Sequence, residues 1–154
     1  MATDILKKVT PSRKIQIAVP NLATARDGRI CFYGYDVSME WLVAYGTAHR
    51  SWGPEFDDLS KASGAMKLLR KHSGIKGLKF ETGIKDPNID AITMPGSRGN
   101  GEICVPLISI FSDEGPSIKK RPSQEQVDRL SEIMGKQPRW WADYENPETY
   151  AYGY

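Results

Sequence analysis

The run Ile103-Cys104-Val105-Pro106-Leu107-Ile108-Ser109-Ile110-Phe111 is the longest apolar stretch of the chain. It is about half the ~20 residues that a membrane-spanning helix needs, and Pro106 interrupts it. A run of this length reads as a strand of a sheet. Its apolar phase holds at Ile103, Val105 and Leu107, then slips to Ile108 and Ile110, which predicts a β-bulge or a sheet edge near Pro106.

Four further segments have strand character. Residues 14–19 alternate, with Ile15, Ile17 and Val19 on one face and Gln16 on the other. Residues 30–35, Ile-Cys-Phe-Tyr-Gly-Tyr, are apolar and aromatic throughout, as expected for a central strand covered on both faces. Arg26-Asp27-Gly28-Arg29 supplies turn residues for an antiparallel hairpin between these two. Residues 78–82 and 89–94 complete the set, and with 103–111 they suggest an antiparallel meander.

Helices alternate with these strands. Residues 4–9 form a short peripheral one, ended before Pro11. Asp36 or Ser38 caps a helix running to about His49, with Trp41, Leu42 and Tyr45 as its buried stripe. Asp57 or Asp58 caps a second over 59–73, where Ala62, Ala65, Met66 and Leu69 follow the i, i+3, i+4, i+7 pattern. Gly74 fits the left-handed position of a Schellman ending, with Ile75 folding back toward Leu69. After a polar linker, 112–122, Ser123 and Gln126 form a capping box, and Val127, Leu130, Ile133 and Met134 make one apolar stripe ended by Gly135 and Pro138.

The expected fold is therefore α+β: a mainly antiparallel sheet of about five strands covered by three helices, in a single domain over 1–139. Residues 140–154 follow as an aromatic, acidic tail with six aromatics, three acids and no base, partly packed on the domain. A chain of 154 residues, 40% apolar and with a mean hydropathy of −0.48, lies in the globular range. The opening residues place Asp4 and lysines where a signal peptide has its apolar core. Only Cys31 and Cys104 are present, read as buried free thiols in a reducing compartment, cytoplasmic or nuclear.

Net charge is +2, so any preference for a polyanion must come from how charge is distributed. Residues 59–80 hold Lys61, Lys67, Arg70, Lys71, Lys76 and Lys79 and not one carboxylate. Helical spacing puts Lys67, Arg70 and Lys71 opposite the apolar stripe, exposed together as a face for nucleic acid or an anionic membrane surface. The bland alternative is a solvated helix face, since cations in the last turn offset the helix dipole. Lys119-Lys120-Arg121 is a second, shorter basic run with the form of a nuclear-import or kinase-site signal. The loop 95–101 adds Arg98 and flexible backbone amides that suit an anion, or simply a mobile hairpin tip.

Catalytic and metal motifs are absent: no His-Glu-x-x-His, Gly-x-Ser-x-Gly or paired Cys-x-x-Cys occurs, and no cofactor or metal site is expected. His49 and His72 are the only histidines, both near helix C-termini, where a cationic ring is stabilised for structural reasons. In the tail, Trp140, Trp141, Tyr144, Tyr150, Tyr152 and Tyr154 are of the types enriched at interaction hot spots, and the two tryptophans equally suit sealing the sheet. These features predict a non-enzymatic binding and assembly protein. It uses the basic face for an anionic partner and the aromatic tail for a protein partner or self-association. The alternative is a small phosphodiester-cleaving enzyme using His49 or His72.

Overall fold

A computed structural model describes residues 15–21, 29–49, 56–84 and 104–144. Strand β1 (Cys31–Asp36) leads into helices α1 (Met39–His49) and α2 (Asp58–Ser73), followed by β2 (Lys79–Ile84). Strand β3 (Cys104–Ser112), helices α3 (Gly115–Lys119) and α4 (Gln124–Met134) and strand β4 (Arg139–Asp143) complete the order. The fold is α+β, with four strands rather than about five and four helices rather than three among the described residues. The expected helix over 4–9 and strand over 89–94 lie outside these residues.

All strand pairings are antiparallel, and the order β1-β3-β2-β4 closes on itself into a small barrel. β2 pairs directly with β3, from Lys79 opposite Ser109 to Ile84 opposite Cys104, so no strand stands between them as a meander would require. Phe32, Leu107 and Trp141, one from each of three strands, form one buried cluster. Tyr35 and Ile108, in the opposite phase of β1 and β3, join Leu42, Leu69, Leu78, Val127 and Leu130 in the larger core under the helices. The period-two alternation of strands thus separates a barrel interior from a helix-covered face.

The predicted bulge exists but lies four residues further on. Tyr33 pairs with Phe111 and Gly34 with Ser109, which leaves Ile110 as the extra residue of β3. Pro106 sits within the ladder, where its carbonyl accepts from the Val37 amide. Gly34 is required at the bulge, because a Cβ there would lie 2.0 Å from the Ile108 carbonyl oxygen.

Residues 15–19 form no strand, and both edges of β1 are taken by other strands, so the expected hairpin with β1 is not made; its turn residues 26–28 lie outside the described residues. Residue Gln16 makes one isolated bridge to Ser123, while β1 is flanked on both sides by β3 and β4. Ile17 is buried but Ile15 is 80% exposed, so alternation alone misjudged a segment with no neighbouring strand. Its backbone instead bonds Pro122 and Gln124, and the Gln16 amide caps the carbonyls of Lys119 and Arg121. The linker 112–122 contains α3, started by Pro116 in its first turn.

Helix signals were read more closely. Ser38 accepts from the Trp41 amide, Asp57 accepts from the Ser60 amide, and the Ser123/Gln126 capping box is complete. The bond from Ser60 holds the Asp57 carboxyl below its ordinary range. Helix α2 ends at Gly74 with φ +79°, its amide on the Arg70 carbonyl, but Ile75 donates to the Ser73 hydroxyl. That is a simple left-handed cap rather than a Schellman ending, because the buried serine takes the amide that the helix carbonyl would have received. Ile75 still packs in the core with Leu69.

The proposed boundary at 139/140 cuts through a strand. Trp140 and Trp141 belong to β4, paired with Tyr33 and Phe32. Trp141 is buried and donates to the Gly34 carbonyl, with the Arg139 guanidinium 3.3 Å from its ring centre. Trp140 donates to the Pro20 carbonyl and meets Phe111 edge-on. Both cysteines are free; Cys31 is buried, whereas Cys104, at the start of β3, is exposed and not a core thiol.

Candidate functional site

Ile75 and Leu78 are both buried, and the five-residue span between helix and strand leaves Lys76 and Gly77 facing solvent. The span is tied at each end. Gln126 donates to the Gly74 carbonyl at 2.7 Å, and the Arg70 Nε donates to the Leu78 carbonyl at 2.9 Å. Arg70 therefore works as a strut between α2 and the start of β2, which removes it from the exposed face expected for it. Lys67 and Lys71 remain exposed on α2.

Across from this turn runs the α3–α4 linker. Arg121 donates to the carbonyls of Ile17 and Ile118, so it too is a strut, while Lys119 and Lys120 stay exposed. Between the two segments lies a groove of about 600 Å³ lined by Gln16, Lys76, Gly77, Lys120, Arg121 and Gln126, with the bulge residue Ile110 at its base. A second groove of about 340 Å³ shares Gly77, Ile110 and Lys120 and adds Lys79. Two basic runs about forty residues apart in sequence thus border one continuous depression.

The side-chain ammonium groups of Lys76, Lys79 and Lys120 have no hydrogen-bond or ion-pair partner among the described residues. The one carboxylate on the lining, Glu114, accepts from the Ser112 hydroxyl. Such unneutralised ammonium groups, on a concave surface, favour an anion over bulk solvent. The sequence singled out Lys76 and Lys79 but gave Lys120 no role in that site. Only the β3 bulge and the linker's path bring it there. Arg98 lies outside the described residues, as do Tyr150, Tyr152 and Tyr154. Tyr144 is half-buried, with its amide on the Thr82 carbonyl.

The two histidines also meet. Gly46 lets α1 approach the backbone of α2, since a Cβ there would stand 2.6 Å from the Lys61 carbonyl oxygen. Trp41, Tyr45 and His49 then stack along α1 at four-residue spacing, and His72 closes on them from α2. The His49 and His72 ring centres are 5.4 Å apart. His49 Nδ1 is 2.9 Å from the Tyr45 carbonyl oxygen, and His72 Nδ1 is 2.5 Å from the Tyr45 hydroxyl. Partial burial raises the Tyr45 phenol above its ordinary range, so it keeps its proton at neutral pH. Among the described residues, no group of three or more His, Cys, Asp or Glu is arranged around a metal position, and no helix is long and apolar enough to cross a membrane.

Comparison of the chain with protein-family models, curated proteins and solved structures gives no match.

Proposed function

We propose that this chain is a non-enzymatic binding and assembly protein of the cytosol or nucleus that holds an anionic partner in the groove between the α2–β2 turn and the α3–α4 linker. The observation that carries this reading is the convergence of Lys76, Lys79 and Lys120, from separate elements, on one depression without carboxylate partners among the described residues. A groove suits a phosphate strand better than a flat bilayer, so nucleic acid is the preferred partner over an anionic membrane surface. Protein contact or self-association is assigned to the chain beyond Tyr144, because Trp140 and Trp141 are paired in β4, Trp141 buried and Trp140 half-buried.

The test is titration of a labelled single-stranded oligonucleotide, with anionic vesicles as a parallel arm. Three neutralised phosphates give a roughly twentyfold loss of affinity between 50 and 200 mM salt. Lys76→Glu, Lys79→Glu and Lys120→Glu together abolish it. Salt-independent binding, or none to either probe, rejects the reading.

A second reading, phosphodiester cleavage with His49 or His72 as acid or base, is favoured by their meeting across α1 and α2. RNA cleavage that disappears in both His49→Ala and His72→Ala would replace the binding-only reading. Intact RNA after prolonged incubation retires the enzyme.

A further inference from the structure

We infer that His49 and His72 form a two-histidine site for a transition-metal ion of the class that imidazole prefers, Zn²⁺, Ni²⁺ or Cu²⁺, with Tyr45 positioning both rings. The inference rests on neither functional reading above.

A histidine that binds metal through one ring nitrogen is oriented through the other, by a carbonyl or similar partner. Here Tyr45 supplies both partners. Its carbonyl can only accept, so His49 Nδ1 carries the proton and the lone pair of the neutral ring falls on Nε2. Its hydroxyl can accept as well as donate, so His72 Nδ1–H can be held there with its own lone pair on Nε2. Two imidazoles on a single tetrahedral ion, each bound at about 2.1 Å, hold their ring centres roughly 5 Å apart. The observed 5.4 Å meets that requirement. His49 is exposed, so the ion has a way in from solvent.

The two ligands come from different helices whose approach depends on Gly46, so the site exists only in the folded chain. Two protein ligands leave the remaining positions to water, an open coordination sphere rather than a closed structural one. Among the described residues no carboxylate joins the two rings, and imidazole donors favour Zn²⁺, Ni²⁺ and Cu²⁺ over Mg²⁺ or Ca²⁺.

Isothermal titration of the metal-free chain with Zn²⁺ alone tests this, with Mg²⁺ as control. One ion per chain is expected, and His49→Ala and His72→Ala should each weaken binding at least about tenfold. Tyr45→Phe, which removes the hydroxyl but keeps the carbonyl, should weaken it by about tenfold with both ligands still present. Histidine NMR resonances of the unsubstituted chain give a readout independent of any variant: both rings should respond at the same Zn²⁺ equivalent. No binding at millimolar Zn²⁺, a response from only one ring, or affinity unchanged in either single variant overturns the site.

Discussion

The lysine groove and the tryptophan strand are opposite solutions to the placing of residues that invite a partner. Around the groove, Lys76, Lys79 and Lys120 stand in solvent without counter-charges among the described residues, while Arg70, Arg121 and Gln126 beside them each donate to a backbone carbonyl. In β4, Trp141 is buried and Trp140 half-buried against the chain itself, and each indole N–H is bonded to a carbonyl. The difference lies in what the fold leaves over. Unpaired charge remains available for binding, whereas aromatic area already removed from water by β1 and β3 does not. An aromatic pair in sequence is therefore weaker evidence of an interface than lysines whose struts are satisfied elsewhere.

Trp141→Ala strikes this contrast hardest. It empties the barrel interior beside Phe32 and Leu107 and should cost about 3–5 kcal/mol in chemical denaturation. A loss below about 1 kcal/mol would return Trp141 to the interaction surface. Gly34→Ala comes next, at about 1–3 kcal/mol, because the new methyl meets the β3 backbone with no side chain able to yield. An alanine tolerated there would show that the bulge does not fix Ile110 at the base of the groove.

A smaller effect is expected at Tyr35, fully buried with its hydroxyl 2.8 Å from the Ser131 Oγ. Burial pushes this phenol up to about 12 from its ordinary value near 10, with the Ser131 hydrogen bond partly opposing the shift. The raised pKa favours the neutral, folded form, so the stability it contributes is complete below pH 10 and is lost as pH rises toward about 12. Tyr35→Phe should cost about 1 kcal/mol at neutral pH and remove this group's share of the alkaline transition. An unaltered alkaline transition would sink the assignment. Smallest of all is the stability change in the triple Lys76/Lys79/Lys120→Glu variant, within about 0.5 kcal/mol by thermal or urea unfolding, even as anion binding disappears. A larger destabilisation would make the groove structural, on the same footing as the tryptophans.

Much of the local structure was legible. Ser38, Asp57 and the Ser123/Gln126 pair mark their helix starts through short-range bonds to amides a few residues away, and Gly74 and Gly135 end their helices with φ near +75° to +79°. The strands expected at 30–35, 78–82 and 103–111 correspond to those at 31–36, 79–84 and 104–112. Two errors share one cause. Residues 15–19 alternate but lack a neighbouring strand among the described residues, and residues 140–143, read as the start of a tail, gain their strand from β1 and β2. Pairing partners lie far away in the chain, so alternation or composition within a window does not encode them.

The candidate site divides the same way. Residue type and spacing by themselves determined that 59–80 is basic and without acids, that Lys67 and Lys71 leave the helix on its solvent side, and that both histidines sit at helix ends. Only tertiary structure turned Arg70 and Arg121 inward as struts, carried Lys120 to Lys76 and Lys79, and drew His49 to His72 across Gly46. The physical reason is range: caps, turns and helical faces depend on contacts within a few residues. A groove or a ring pair depends on which backbones can approach, and that is decided by a bulge, a glycine and the closure of the barrel.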